Sequence, residues 1–212
     1  MNRRLLFVSL FLFALFALFT LAVLSADVQS AGPLNSPVGF ASLNLAFHRL
    51  TGVHLSLYTL TDALSLVPLG VVLCFALLGL FQWIRRRSLL KVDRDILLLG
   101  GFYLAVFAFF LLFERFPVNF RPVLIDGALE ASYPSSTTLL VLCVLPTAVL
   151  QLQRRIPSPA LRRFACTCLS VLALFMLAAR LLSGVHWLTD ILAGILLSGA
   201  LVTAYSACLA AR

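Results

Sequence analysis

Charge is what this sequence has least of. Of 212 residues only 11% are charged, sixteen Lys and Arg against eight Asp and Glu, while 62% are hydrophobic. Soluble domains are roughly a quarter charged, so no water-facing surface can be assembled from this chain. A mean hydropathy of +1.06 and long stretches without any charge exclude a soluble enzyme, a disordered tail and a coiled coil. Cysteine is sparse as well. Cys74, Cys143, Cys166, Cys168 and Cys208 are odd in number and lie in or beside apolar runs, so no disulfide framework is implied. Cys166-Thr167-Cys168 has neither metal-site nor redox-motif spacing and reads as small apolar filler. Internal repeats, low-complexity segments and an appended soluble domain are likewise missing. What is left is an integral membrane protein. Its formal charge of +8 is not gathered on one polar face, so nucleic acid is not an expected partner.

Charge-free runs at 5–26, 64–84, 96–113, 137–152, 164–179 and 191–209 predict six transmembrane helices. Each approaches the roughly 20 residues that cross a hydrocarbon core, the fourth and fifth by borrowing polar residues at their outer ends. The first run follows Asn2-Arg3-Arg4 and closes on Leu24-Ser25-Ala26, an ending with the small residues of a cleavable signal peptide. It is too long for a typical signal-peptide core of about 7–15 apolar residues and reads as an uncleaved anchor. The fold expected is therefore all-α and polytopic, a six-helix bundle forming one membrane domain over residues 1–212. Two N-terminal spans with an outer loop fill 1–95 and a four-helix core fills 96–210.

Orientation follows from the basic residues. With the N-terminus inside, twelve of the sixteen fall on inner segments: Arg3 and Arg4; Arg85, Arg86, Arg87, Lys91 and Arg94; Arg154, Arg155, Arg162 and Arg163; and Arg212. The positive-inside rule then places both termini in the cytoplasm. Arg49, Arg115, Arg121 and Arg180 remain outside with six of the eight acids. The long loops, 27–63 and 114–136, are both outside. In the first, 43–50 has helical apolar spacing and is expected to lie along the interface, as is 53–60.

Charged groups near membrane depth are expensive and usually functional. Two clusters stand at the outer level. One is Glu114-Arg115-Phe116-Pro117-Val118-Asn119-Phe120-Arg121-Pro122, followed by Tyr133-Pro134-Ser135-Ser136-Thr137-Thr138; the other is Arg180-Leu181-Leu182-Ser183-Gly184-Val185-His186-Trp187-Leu188-Thr189-Asp190. The fourth and sixth helices run inward from this level, so their positive dipole ends meet Arg121 and Arg180 there. Unpaired N–H groups at helix starts, the hydroxyls of Ser135, Ser136 and Thr137, and two guanidinium groups together make an anion site. His186 and Asp190, four apart, share one helix face if the sixth helix begins that early, and Asp190 then fixes the imidazole tautomer. Each piece taken singly has a bland explanation as a cap or a snorkelling side chain. Their convergence at one level is what points to chemistry.

The second cluster resembles the third motif of the type 2 phosphatidic acid phosphatase superfamily, Ser-Arg, five residues, His, three residues, Asp. Arg180, His186 and Asp190 match it, with Ala179 at the Ser position, and Gly194 follows four residues on. The first motif, Lys, six residues, Arg-Pro, is matched at Arg121-Pro122, with Glu114 at the Lys position and Arg115 beside it. The second, Pro-Ser-Gly-His, is half present: Pro134 and Ser135 match, while Ser136 and Thr137 stand for Gly and His. The resemblance implies a metal-independent phosphatase or phosphotransferase, multi-pass in the cell membrane, with its active site facing outside and a lipid phosphate as substrate. It makes His186 the nucleophile that forms a phosphohistidine and Asp190 its orienter. Arg121, Arg180 and Ser135 become phosphate ligands, with Arg115, Ser136 and Thr137 as further substrate contacts. No cofactor or metal is implied, since neither His nor carboxylates form a ligand set.

In that family the second-motif His protonates the leaving group, and threonine cannot do so near neutral pH. Losing acid catalysis costs about 10²–10⁴-fold. A lipid alkoxide needs that proton, whereas a phosphate leaving from a diphosphate has a second pKa of about 6 and departs unaided. The expected preference is for isoprenoid lipid diphosphates over monoesters, unless His54 or His48 folds over the pocket as a substitute acid. The alternative is a catalytically silent relative that binds or moves phospholipid. A transporter is disfavoured, since no ionisable residue stands mid-span.

Overall fold

The computed structural model describes residues 2–211. Asn2 opens helix α1 (Arg3–Ser25) by accepting from the Arg4 and Leu5 N–H groups at 3.1 and 3.4 Å, a role its short amide suits. Two short helices follow, α2 (Ala41–Thr51) and α3 (Leu55–Leu64), then α4 (Leu66–Arg86), α5 (Arg94–Arg115), α6 (Ser136–Arg155), α7 (Pro159–Leu182) and α8 (Leu188–Leu209). Among the described residues, six helical segments are long and apolar enough to span a membrane. At 1.5 Å per residue the long helices measure about 30–36 Å, the thickness of a hydrocarbon core. No β-strand forms among the described residues, so the all-α polytopic fold holds. The fourth and fifth spans lengthen at both ends and more at the inner one than expected: α6 takes in Ser136 at the outer end and Gln153, Arg154 and Arg155 at the inner, while α7 takes in Arg180 to Leu182 and, at the inner end, Pro159 to Arg163.

One segment differs from its sequence reading. Residues 53–60 do not lie along the interface as a separate unit; α3 runs into α4 through Ser65, whose backbone is itself right-handed helical (φ −65°, ψ −16°). The second span thereby lengthens to Leu55–Arg86, 32 residues. Its polar residues do not break the helix because they bond within it. Thr59 and Thr61 hydroxyls donate to the carbonyls of Leu55 and Leu57, four residues back, at 3.1 and 2.9 Å.

Helix α8 is central. Its buried positions include Ala193, Gly194, Ser198, Ala200 and Ala207, and such small residues let backbones approach closely. A Cβ on Gly194 would stand 3.0 Å from Thr138 Cγ2 of α6. Helix α1 lies along α8, burying Ser9, Phe16 and Val23 at intervals of seven, as a single seam requires. Ser9 Oγ donates across that seam to the Ala200 carbonyl at 2.9 Å. Helices α6 and α7 meet through Val141, Leu145, Ala173 and Met176. Phe7, Leu18, Leu73, Phe107 and Leu174 point outward, where lipid tails are as apolar as they are.

The two ends of the bundle are built differently. At one, both ends of the chain meet: Asn2 N–H donates to Ala207 O at 3.4 Å, and Arg94 donates to Ala211 O. There Asp93 accepts Arg86 at 2.8 Å and Arg155 at 3.5 Å, and Arg155 also binds Asp95 at 2.7 Å. This pins the α4–α5 corner to α6. The basic residues assigned to the inner side lie at this end, apart from Arg212, which is outside the described residues. The polar clusters from the sequence lie at the other.

Candidate functional site

Three backbone features bring the clusters together. Helix α7 stops at Leu182, and Gly184 turns the chain with φ +69°, a conformation that glycine takes without strain. Its Cα packs so closely on α2's end that a Cβ would lie 2.0 Å from Gly52 O. The loop 119–132 closes on itself as a short antiparallel pairing, with Arg121 N–H to Glu130 O at 3.0 Å and Ser132 N–H to Asn119 O at 2.9 Å. Side chains two apart on such a pairing share a face, so Asn119, Arg121, Glu130 and Ser132 are presented as a group. Finally, Ser135 N–H donates to Asp190 O at 3.1 Å, which joins the starts of α6 and α8 at one point.

The position of His186 differs from the sequence expectation. Helix α8 begins at Leu188, so His186 precedes it and does not share a helical face with Asp190. Its Nδ1 is 3.9 Å from Asp190 Oδ2, too far for a hydrogen bond. Ser132 fills the interval: its Oγ lies 2.9 Å from His186 Nδ1 and donates to Asp190 Oδ2 at 2.5 Å. Asp190 also accepts the Trp187 N–H at 3.0 Å and Asn119 Nδ2 at 3.3 Å. Helix α2 braces this arrangement through Asn44, which accepts Thr189 N–H at 3.2 Å and donates to Thr189 Oγ1 at 3.0 Å.

Arg121 and Arg180 are 7% and 2% exposed. Both guanidinium groups face the ring of Tyr58 on α3, at 5.7 and 4.8 Å from its centroid, a favourable placement for a cation. Arg180 Nη1 donates to Thr61 Oγ1, also on α3, at 3.0 Å. Glu130 Oε2 stands 2.9 Å from Arg121 Nε, but out of line for a hydrogen bond, so the contact is ionic. Six buried side-chain polar atoms lack a hydrogen-bond partner among the described residues, and four are here: Arg121 Nε and Nη1, Arg180 Nε and His186 Nε2. Buried polar groups are normally satisfied. Glu130 and Asp62 are the carboxylates near the two buried cations, and the unused N–H donors on both guanidinium groups are what an anion with several oxygens would satisfy.

Burial pushes the His186 imidazole down to about 4; the nearby Asp190 opposes this, and the two arginines add to it. The ring is therefore neutral at physiological pH. With Nδ1 turned toward Ser132, Nε2 is the nitrogen left toward the anion site.

The remaining expected residues are placed as follows. Ser135 caps α6, its Oγ accepting from Thr138 N–H at 3.4 Å and Thr138 Oγ1 at 3.0 Å, which leaves its own O–H free to donate. Ser136 and Thr137 form the first turn of α6 and face a cavity between α4, α5 and α6. Arg115 ends α5, exposed and stacked 5.5 Å over the Phe116 ring, and makes no hydrogen bond to the cluster. His48 and His54 give Nε2 to backbone carbonyls, Gly184 O at 3.1 Å and Thr51 O at 2.9 Å; they brace the loops. Ser132, Asn119, Tyr58 and Thr61 were not singled out from the sequence. For the first two, the alternation of polar residues at 119, 121, 130 and 132 was an available signal.

The family model described as the PAP2 superfamily matches residues 100–212. No curated protein matches the sequence. Among solved structures, a transmembrane PAP2-type phosphatidylglycerolphosphate phosphatase from Bacillus subtilis is similar, with a TM-score of 0.61 and 18% identity over 94% of each chain. The chain, six membrane-spanning helices with its polar cluster inside the matched half, belongs to the PAP2 superfamily.

Proposed function

We propose that this protein is a membrane phosphatase that hydrolyses a lipid phosphate or an isoprenoid lipid diphosphate at the outer face through a phosphohistidine. The observation that carries the reading is the convergence of unpartnered buried atoms: Arg121 Nε and Nη1, Arg180 Nε and His186 Nε2. The arginines and the N–H groups opening α6 would hold phosphoryl oxygens, and Nε2 would attack phosphorus from within that ring of donors. The N–P bond forms as the bond to the leaving oxygen breaks. Water then attacks phosphorus, the N–P electron pair returns to Nε2, and the water proton leaves with inorganic phosphate.

A lipid substrate is supported by the cavity beside the site. It measures about 950 Å³ and runs between α4, α5 and α6 from Asp62, Ser136 and Thr137 down to Trp83 and Val92. It is apolar below its outer end. Gly100 and Gly101 leave open space along it, with nothing within 4 Å of where a Cβ would stand. A headgroup at the arginines would leave an aliphatic tail to occupy this space. The outer placement rests on the basic residues concentrated at the opposite end.

Thr137 occupies the position of the family's acid, and His48 and His54 each give one ring nitrogen to a loop carbonyl rather than to the arginine cluster. This supports a preference for diphosphates, whose leaving phosphate needs no proton. The same residue favours a second reading, a silent relative that binds phospholipid. A phosphate-release panel over phosphatidic acid and farnesyl diphosphate decides between them, comparing wild type, His186→Ala and Thr137→His. The enzyme reading expects diphosphate turnover that His186→Ala abolishes and monoester turnover gained by Thr137→His. No release from any form on any substrate would establish the silent relative.

A further inference from the structure

Ser132 stands between two side chains that a nucleophilic imidazole would otherwise join directly, and its single proton decides the order of the chain. The Asp190 carboxylate can only accept, and it takes the Trp187 N–H and Asn119 Nδ2 as well as the Ser132 hydroxyl at 2.5 Å. With its proton committed to Asp190, Ser132 Oγ can meet His186 Nδ1, 2.9 Å away, only as an acceptor. Nδ1 must therefore carry the imidazole proton, and Nε2 must carry the lone pair. We propose that Ser132 is a positioning residue for the reaction: it relays Asp190 to His186 and locks the tautomer in which Nε2 is the nucleophile.

The surroundings fit this role. Ser132 is 2% exposed, and its N–H is bonded to Asn119 O at 2.9 Å. The same antiparallel pairing that holds Arg121 holds Ser132, so nucleophile alignment and phosphate binding share one piece of backbone. Asp190 cannot close the 3.9 Å gap itself, because Trp187 N–H, Asn119 and the Ser135 N–H on its own carbonyl fix it from three directions. When Nε2 takes the phosphoryl group, the ring becomes positively charged with Nδ1–H retained. That charge then faces the carboxylate through the serine hydroxyl, and no proton crosses the relay in either step.

The proposal rests on the phosphatase reading for its kinetics but not for its spectroscopy. In purified full-length protein, Ser132→Ala is expected to lower kcat on the order of 10²-fold with KM unchanged, since the arginines are untouched; fixing a catalytic tautomer is worth up to about 10⁴-fold. Ser132→Thr, which keeps the hydroxyl, should recover at least tenfold of the loss. Should Ser132→Ala not yield folded protein, Ser132→Cys fills nearly the same volume with a poor hydrogen-bonding group and carries the same expectation. ¹⁵N spectra of labelled histidine, with the His186 signals identified by their absence in His186→Ala, should show Nδ1 protonated and Nε2 bare in wild type. In Ser132→Ala the two tautomers should mix. Wild-type kcat together with an unchanged tautomer in Ser132→Ala would overturn the proposal, as would a rise in KM with kcat preserved. If wild type turns over neither phosphatidic acid nor farnesyl diphosphate, the phosphatase reading fails, and the spectra alone still decide the tautomer lock.

Discussion

The depressed proton affinity of His186 gives a sharp expectation for activity against pH. A nucleophilic imidazole works only when neutral. An ordinary histidine titrating near 6.5 is about 9% neutral at pH 5.5, whereas one titrating at about 4 is about 97% neutral there. The ratio of kcat/KM at pH 5.5 to that at pH 7.5 should therefore stay near one, after correction for the substrate's own ionisation, read by ³¹P titration of the free lipid. kcat/KM is the right quantity because it reports groups of the unliganded protein. Burial is the leading cause and the arginine charges add to it, so Arg121→Gln should move the midpoint upward, toward neutral pH. The same displacement has a stability counterpart. Folding favours the neutral ring, so roughly 3 kcal/mol is present above pH 6.5 and is lost as pH falls from 6.5 to about 4. A tenfold drop in corrected kcat/KM between pH 7.5 and 5.5, with a ¹⁵N midpoint for His186 near 6.5, would refute both the burial argument and the electrostatic contribution of the arginine pair.

Two further substitutions test how the site is held. Gly184→Ala places a methyl 2.0 Å from Gly52 O at φ +69°; the left-handed backbone alone costs about 1–2 kcal/mol, and the collision adds to it. A lowered melting temperature and at least a tenfold loss of phosphate release are expected, and a wild-type result in both would show that the loop before His186 does not need this close approach. Tyr58→Leu removes the ring both guanidinium groups face. At about 0.5–2 kcal/mol per cation–π contact, the two contacts together are worth about 1–4 kcal/mol and KM should rise at least about fivefold, while Tyr58→Phe leaves it unchanged. Equal losses in the two variants would assign the effect to the hydroxyl.

Much of the fold could be read from the chain because a bilayer imposes a one-dimensional rule: about twenty residues without charge. The six runs, the polar outer ends of α6 and α7, and Arg121, Arg180, His186 and Asp190 as a group all followed from residues whose presence at membrane depth demands explanation. What escaped was carried by neutral or small side chains. Ser132 and Asn119 sit in a loop whose pairing joins residues nine to thirteen apart; the polar alternation at 119, 121, 130 and 132 is a local signal, but it does not fix the register. Tyr58 and Thr61 belong to a segment whose hydroxyls look interfacial until they are seen bonding inside their own helix. The start of α8 was legible in part. Gly184 is the kind of residue that ends a helix, and it argues that His186 follows a break, which leaves room for Ser132 between it and Asp190.

The seam between α1 and α8 sets a constraint on how the protein is made. Ser9 and the carbonyl it binds on Ala200 are 191 residues apart. At about 5–20 residues per second of synthesis, the first span waits on the order of 10–40 seconds in the membrane before its partner exists. It is equipped to wait alone: Thr20 and Ser25 hydroxyls are already satisfied by the Phe16 and Leu21 carbonyls of the same helix, and the rest is almost wholly hydrocarbon. The span that carries Asp190 is also the one whose arrival lets α1 settle, so the seam and the site are completed by the same helix.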